Sequence, residues 1–171
     1  MSPIAGAAKS EVGQFYCRSW SALVSYAFIW TGEFCLAEDA VQTAFVKLMD
    51  KDMLPRELRP YMFRAVRNEA LQRRRSANRE PPLPEGFDTW WSLAAPECSC
   101  AESKDLMDEA MKILREQERE TIVLKELVGM TLREIAQIQE VSIKTVASWH
   151  RRGMFKLRQR LYELEGKQPP K

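Results

Sequence analysis

The stretch TLREIAQIQEVSIKTVASWHRRGMFKL, residues 131–157, reads as two amphipathic helices joined at a tight break. Thr131 and Glu134 have the spacing of a capping box, which gives the first helix a defined start. Ser142 is a suitable N-cap for the second helix. This arrangement is typical of a helix-turn-helix, the motif that places its second helix in the major groove of DNA.

The second helix of this motif separates apolar from polar side chains. Val146, Gly153 and Leu157 recur at helical spacing and are predicted to face inward. The side chains predicted to contact DNA from this helix are Lys144, Thr145, Ser148, Trp149, Arg151, Arg152 and Lys156. From Ser142 to the last residue there are eight Lys or Arg against two acids, a balance that suits a polyanionic partner. A surface αα-hairpin with a solvated basic face is the alternative interpretation.

The sequence offers no set of catalytic residues. Its one histidine, His150, lies near the apolar stripe of the second helix, so we expect a packed imidazole rather than a metal ligand. A nucleophile, base and acid cannot be assembled around a histidine placed in this way, and there is no glycine-rich loop for phosphate. We therefore expect a protein that is not an enzyme and has no cofactor.

The cysteines and the hydropathy indicate a reducing compartment. The four cysteines, Cys17, Cys35, Cys98 and Cys100, are too few and too irregular for a disulfide framework. Cys98 and Cys100 could form half of a metal site or a redox switch, but structural zinc usually needs four ligands, so no metal site is predicted. No apolar stretch resembles a signal peptide or a membrane span. We expect a cytoplasmic protein without membrane insertion.

Charge and helix-breaking residues divide the chain into three parts. Residues 81–105 contain one cation and five acids, whereas the segments on both sides are basic. The proline-rich composition of residues 81–103 predicts a flexible linker. It joins a first domain, residues 1–80, to a second domain, residues 104–171.

Hydrophobic periodicity predicts helices and no competing strand, so the fold class is all-α with two small helical domains. The predicted helices outside the helix-turn-helix begin near Ser10, Leu36, Tyr61 and Ser103. Gly32 is expected to end the first of them. Glu38 and Asp39 are expected in the first turn of the second helix, where the helix dipole favours acids.

Four segments taken together resemble bacterial RNA polymerase sigma factors of the extracytoplasmic-function type. They are AEDAVQTAFVKL (37–48), YMFRAVRNEAL (61–71), LREQERETIVLKELVGMTLREIAQI (114–138) and SIKTVASWHRRG (142–153). The resemblance implies that the first domain, sigma region 2, binds the clamp helices of core RNA polymerase and opens the promoter −10 element. It implies that the second domain, the sigma region 4 helix-turn-helix, reads the −35 element and contacts the polymerase flap.

The resemblance also implies two further sets of site residues. The polymerase-binding set is Glu38, Asp39, Gln42 and Thr43. The set for −10 DNA is Tyr61, Phe63, Arg64, Arg67, Asn68, Arg74 and Arg75. Tyr61 and Phe63 stand where the family captures a flipped base, and ordinary packing is the alternative for both.

The chain departs from the family pattern at informative positions. Family members commonly have acids where Leu36 and Thr43 stand, so the polymerase-binding face is less negative here. A Ser/Thr kinase that phosphorylated Thr43 would add about −1.5 to −2 charges to that face. Glu140 stands at the helix-turn-helix break, where glycine is usual. An anti-sigma factor is a further partner that the resemblance admits.

Three functions are compatible with these residues. The first is a sigma factor, which directs core polymerase to promoters. The second is a stand-alone helix-turn-helix regulator that binds operator DNA without polymerase. The third is a decoy that binds polymerase but does not open DNA. The acidic linker is either a tether or, with its Trp90–Trp91 pair, an occupant of the nucleic-acid channels of the polymerase.

Overall fold

The chain divides into two compact helical units, Met1–Pro82 and Leu83–Lys171. The computed structural model describes residues 3–51, 53–76, 106–107 and 109–166, the side chains of residues 3–9 excepted. All regular secondary structure in these ranges is helical, so the predicted all-α fold class with two helical domains is confirmed. The predicted linker, with Cys98 and Cys100, lies outside the described residues.

The first unit contains three helices that pack around one core. They are α1 (Pro3–Thr31), α2 (Phe34–Met49) and α3 (Leu58–Ser76). Each helix contributes apolar side chains at helical spacing to the buried core, among them Leu23, Ala27, Val41, Leu48, Met62, Val66 and Ala70.

The connection between α1 and α2 corrects one expectation from the sequence. Gly32 has φ 65° and ends α1 as predicted, but α2 begins only two residues later, at Phe34. The Thr31 hydroxyl accepts a hydrogen bond from the Glu33 N–H at 3.4 Å, which closes the turn at once. Glu38 and Asp39 consequently lie in the second turn of α2 and not in the first, so the dipole argument does not apply to them.

The second unit is built on the helix-turn-helix and the helix before it. Its elements are α4 (Glu116–Ile122), a π-helical continuation (Val123–Leu127), α5 (Leu132–Gln139) and α6 (Ile143–Leu164). The sequence predicted one helix from about Ser103 through the α4 region. The chain instead leaves the helical conformation after residue 111 and restarts at Glu116. The restart is stable because the Glu118 carboxylate accepts a hydrogen bond from the Arg115 N–H at 3.2 Å.

The π-helical turn leads directly into the helix-turn-helix. The Val128 N–H donates to the Val123 carbonyl at 3.1 Å, which adds a residue to the turn. Gly129, with φ 72°, then redirects the chain so that Met130 is buried ahead of α5.

A buried polar network fixes α5 against α4. The Gln139 amide donates to Oε2 of Glu120 at 2.9 Å, and its carbonyl oxygen accepts from the Thr121 hydroxyl at 3.2 Å. Glu120 and Thr121 are fully buried, so these bonds replace the water that the polar groups would otherwise bind.

In the described ranges, no helix combines the length and the apolar character that crossing a membrane requires.

Candidate nucleic-acid interface

The helix-turn-helix begins with the predicted capping box. The Thr131 hydroxyl accepts from the Glu134 N–H at 3.2 Å, and the Glu134 carboxylate accepts from the Thr131 N–H at 2.8 Å. These reciprocal bonds satisfy two backbone groups that the first turn of a helix leaves without a partner. The start of α5 is thus fixed by its own sequence.

The turn between α5 and α6 is tight and contains no glycine. Glu140 adopts the left-handed conformation, with φ 56° and ψ 42°. The Val141 N–H donates to the Ala136 carbonyl at 3.1 Å, which closes the end of α5. Ser142 then caps α6 as predicted, since its hydroxyl accepts from the Thr145 N–H at 3.1 Å.

The inner side of α6 is fixed by a close helix crossing. Val146, Gly153 and Leu157 are buried, as the sequence predicted. A Cβ at Gly153 would lie 2.8 Å from Cδ1 of Ile122 in α4. A larger residue at this position would have to displace the Ile122 side chain or push α6 away from α4, so this close contact helps to set which side of α6 faces outward.

The outer side of α6 carries the predicted DNA contacts. Lys144, Arg151 and Arg152 are exposed, whereas Thr145, Ser148 and Trp149 are half-buried beside them. Cations on an amphipathic helix that is packed along its opposite side have the chemistry for phosphate and base-edge contacts. Their contacts with DNA remain predictions.

Lys156 is half-buried and pairs with a buried carboxylate of α4. Its ammonium donates to Oε2 of Glu118 at 2.7 Å, and the Glu118 side chain is only 3% exposed. Burial raises the pKa of the Glu118 carboxyl, but the bonds from Lys156 and from the Arg115 N–H lower that pKa by more, so it lies below the ordinary value of 4.5. Lys156 thus stabilises the contact between α6 and α4, and its DNA contact also remains a prediction.

The Glu118–Lys156 pair predicts a specific acid sensitivity. Because the pKa of Glu118 is lower in the folded protein, the ionised carboxylate stabilises the fold above about pH 4.5 and this stabilisation is lost as the pH falls through the lowered pKa. We expect the free energy of unfolding of the second unit to fall below that pH. In Glu118→Gln the fall should be smaller, and the protein should be less stable near neutral pH. Urea unfolding at a series of pH values measures both.

A surface glutamate on the same unit provides the control. Glu163 is exposed and pairs with Arg160 at 3.1 Å, and such a pair contributes little to stability. Glu163→Gln should keep the acid dependence of the parent protein. An unchanged acid dependence in Glu118→Gln would show that this carboxylate does not stabilise the fold.

His150 is not the packed imidazole that the sequence predicted. Its side chain is 27% exposed, and Nε2 lies 2.7 Å from Oε1 of Glu126 in the π-helical turn. The expectation failed because helical periodicity places His150 near the apolar side of α6 but does not reveal a polar partner 24 residues earlier. The sequence pattern did not identify Glu126 as the partner of His150 for the same reason.

The predicted base-capture residues of α3 separate into one core residue and one accessible residue. Phe63 is 1% exposed and packs against Tyr26, with 5.3 Å between ring centres. A ring buried in this way cannot stack on a base, so Phe63 is corrected to a core residue. Tyr61 is half-buried, and the Lys51 ammonium lies 5.0 Å from its ring centre.

The polar residues predicted to contact −10 DNA line α3. Arg64, Asn68 and Arg75 are exposed. Arg67 and Arg74 are half-buried, and both guanidinium groups lie near the ring of Trp30 in α1. Nothing in the sequence distinguishes Trp30 from the core residues of α1, because it follows the apolar periodicity of that helix.

The predicted polymerase-binding residues lie on α2. Asp39 and Gln42 are exposed, and Glu38 is half-buried. The Thr43 hydroxyl is half-buried and accepts a hydrogen bond from Nη2 of Arg73 at 2.8 Å. The same guanidinium nitrogen donates to the Asp39 carbonyl at 3.1 Å, so Arg73 connects α3 to this face of α2.

Two of the four cysteines lie in the described residues. Cys17 and Cys35 are free and exposed. In the part of the chain that the structure describes, no three or more His, Cys, Asp or Glu side chains are grouped in a way that could hold a metal ion.

Comparison with protein families gives one match, which lies within the second unit. Residues 104–157 match the family described as sigma-70, region 4. This segment is therefore similar to region 4 of sigma-70 proteins. Sigma factors are DNA-binding transcription initiation factors that are not enzymes, so this match agrees with the prediction of a non-enzymatic protein.

A solved structure extends the likeness beyond the region 4 segment. The chain is similar to the sigma factor RpoE of Bartonella quintana, crystallised in complex with the anti-sigma factor NepR. The identity is 22%, the match covers 91% of this chain and 98% of that chain, and the TM-score is 0.66. The chain therefore has the fold of that sigma factor, and the resemblance stated from the sequence is confirmed. No protein of curated function matches the sequence.

Proposed function

We propose that this chain is a sigma subunit that binds core RNA polymerase and directs it to specific promoters. The observation that carries the proposal is the outer side of α6 in the region 4 segment. There Lys144, Arg151 and Arg152 are exposed on a helix whose opposite side is packed at Gly153. A rigid basic helix of this kind can enter the major groove, where base edges are distinguishable.

In this proposal the second unit reads the −35 element. The outer residues of α6 contact phosphates and base edges, and the same unit contacts the polymerase flap. Thr145, Ser148 and Trp149 can contact bases, while the cations position the helix on the backbone.

The first unit recognises and opens the −10 element. Opening requires that a base leave the stack, at a cost of a few kcal/mol that protein contacts must offset. With Phe63 in the core, Tyr61 is the aromatic side chain available for stacking at the start of α3. The DNA backbone is contacted by polar side chains of the same helix, the exposed Arg64, Asn68 and Arg75 and the half-buried Arg67 and Arg74.

The proposed surface for the polymerase clamp is the face of α2 with Asp39 and Gln42. Glu38 and Thr43 flank it. Leu36 and Thr43 stand where the family commonly has acids, so the face carries less negative charge. A phosphate on Thr43 would restore charge, but Arg73 donates to that hydroxyl and would neutralise part of it.

This arrangement predicts how charge at Thr43 affects polymerase binding. Thr43→Glu should tighten binding to core polymerase by about two- to fivefold at low salt, as expected for one added surface charge. The double variant Thr43→Glu, Arg73→Gln should bind more tightly still, because the new carboxylate no longer pairs with Arg73. Titration of labelled protein with core polymerase measures these affinities.

Two variants serve as controls for this titration. Gln72→Glu adds the same charge at an exposed position of α3 and should bind as the parent protein does. Thr43→Ala should retain the parent affinity. Equal affinities for the Glu, Ala and parent proteins would exclude both a charge-limited contact and a phosphorylation switch at Thr43.

One transcription experiment separates the three functions. Purified full-length protein is added to core polymerase with linear genomic DNA, and run-off transcripts are sequenced. A sigma factor gives discrete start sites that require both components. Binding to duplex DNA without any new transcript would indicate a stand-alone regulator, and polymerase binding without DNA opening would indicate a decoy.

The proposal includes partners and a location. The sigma factor with a similar fold was crystallised with an anti-sigma factor, and a protein of that class is a proposed partner of this chain. A Ser/Thr kinase is the partner that phosphorylation of Thr43 would require. Because RNA polymerase acts on chromosomal DNA, the proposed location is the cytoplasm.

A further inference from the structure

Trp30, near the end of α1, lies against two arginines of α3. Its side chain is 3% exposed. The guanidinium carbon of Arg67 is 5.1 Å from the ring centre, and that of Arg74 is 5.6 Å from it. Cations attract the face of an aromatic ring at these distances, and indole is the most effective ring for this interaction.

The indole of Trp30 carries an N–H group, which an aliphatic or phenyl side chain in the core would not. Among the described residues, its Nε1–H has no hydrogen-bond partner. A buried donor without a partner destabilises the fold, whereas leucine or phenylalanine would fill the space without one. Filling space therefore does not account for a tryptophan at this position, and its contacts with the two arginines do.

The two arginines are spaced along the proposed path of DNA. They are seven residues apart on α3, which corresponds to about two turns or about 11 Å. A DNA strand carries one negative charge for about every 3.4 Å of helix axis, so a strand along α3 would present about three phosphates over this span. Guanidinium groups already held against a ring lose less conformational freedom when they bind phosphate.

We propose that Trp30 is a positioning residue that holds Arg67 and Arg74 for contact with the phosphates of the opened −10 strand. The inference rests on the proposed function. Trp30 does not touch DNA itself, because it is buried beneath the arginines. Its effect on DNA binding is transmitted through Arg67 and Arg74 alone.

The test measures how the full-length chain binds fluorescein-labelled oligo(dT) at low salt. Unlabelled duplex DNA is present throughout to occupy α6, and the titration is repeated with the chain assembled on core polymerase. The variants are Trp30→Leu, Trp30→Phe, the pair Arg67→Ala and Arg74→Ala, and the triple variant that combines this pair with Trp30→Leu. Circular dichroism establishes that each is folded, and Trp30→Met replaces Trp30→Leu if leucine prevents folding.

If Trp30 affects DNA binding only through Arg67 and Arg74, its substitution should matter only while these arginines are present. The arginine pair variant should weaken binding about tenfold, and Trp30→Leu should weaken it about three- to tenfold. Trp30→Phe, which keeps a ring face, should stay within about twofold of the parent protein. The triple variant should bind no more weakly than the arginine pair variant, since the residues act as one unit.

A matched substitution on the same helix provides the control. Trp20 packs against Tyr16, with 4.8 Å between ring centres and the rings tilted by 40°. Trp20→Leu removes an indole from α1 in the same way and should leave oligo(dT) binding unchanged. A loss equal to that of Trp30→Leu would indicate general loosening of the unit and would overturn the proposal.

Failure of the inference is distinguishable from failure of the proposed function. If Trp30→Leu binds like the parent protein, or if the triple variant is weaker than the arginine pair variant by the full Trp30→Leu factor, the positioning role is wrong. The −10 role of α3 would then stand. If the arginine pair variant binds like the parent protein, that −10 role is wrong and the positioning role falls with it.

Discussion

Replacing Lys144, Arg151 and Arg152 together by alanine is expected to lower the affinity for −35 duplex DNA by about 100-fold or more. A base-edge contact contributes about 1–3 kcal/mol of discrimination, and each phosphate contact adds about one unit to the salt slope. We expect the slope of log affinity against log salt to fall by about two to three units. Fluorescence anisotropy with a promoter found by run-off transcription, at several salt concentrations, measures both quantities.

A control variant that loses three cations outside α6 distinguishes contacts made by α6 from an effect of net charge. The control variant replaces Arg18, Arg56 and Lys112, three exposed cations outside α6, by alanine. It removes the same number of positive charges and should lose little affinity. If both variants lost equal affinity, the binding would depend on overall charge. If neither lost affinity, α6 would not contact DNA.

Gly153→Val is expected to destabilise the second unit by about 3 kcal/mol and to weaken −35 binding with it. The first carbon alone would lie 2.8 Å from Cδ1 of Ile122 and 3.3 Å from Cβ of Glu118. The Cβ of Glu118 is fixed by the α4 backbone, so the two further methyl groups of valine would push α6 away from α4 even if the Ile122 side chain, which is 4% exposed, gave way. Overpacking of this kind costs about 1–3 kcal/mol or more, whereas helix propensity returns less than about 1 kcal/mol. Urea unfolding of the full chain measures the difference.

At Gly13 in α1, unlike at Gly153, there is room for an added side chain. It lies inside a helix, and a Cβ there would meet nothing within 4 Å. Gly13→Ala should therefore stabilise the first unit by up to about 1 kcal/mol, because alanine restricts the unfolded chain. A Gly153→Val protein as stable as the parent would mean that α6 can move away from α4 without cost.

The parts of the fold that the sequence predicted are those set by neighbouring residues. The capping box of α5 and the Ser142 cap of α6 each join residues three apart, and both are present. The inward residues of α6 follow from helical period alone. Local rules of this kind are readable from one sequence because both partners stand within one helical turn.

The features that the sequence did not predict depend on distant partners. The bond between His150 and Glu126 joins α6 to the π-helical turn, and the burial of Phe63 depends on Tyr26 in another helix. The break before α4 was missed because residues 105–117 have an uninterrupted helical pattern. A pattern shows which side of a helix is apolar, but it does not show what lies opposite.

The same distinction applies to the proposed DNA contacts. Exposure of Lys144, Arg151 and Arg152 could be predicted, since they lie opposite the apolar side of α6. The bond of Lys156 with Glu118 and the contacts of Arg67 and Arg74 with Trp30 could not be predicted, since each joins two helices. The resemblance to a family identified the DNA-facing helices, and only the structure shows which of their cations are already engaged.

Glu140 shows how the helix-turn-helix bend arises in this chain. A residue with a side chain in the left-handed conformation costs about 1–2 kcal/mol, so the bend is not a preference of Glu140 itself. The capped α5 and α6 on either side impose it. Evolution can therefore change the residue at the bend while the two caps are kept. A search pattern that demands glycine there would overlook chains of this kind, and one built on the two caps would find them.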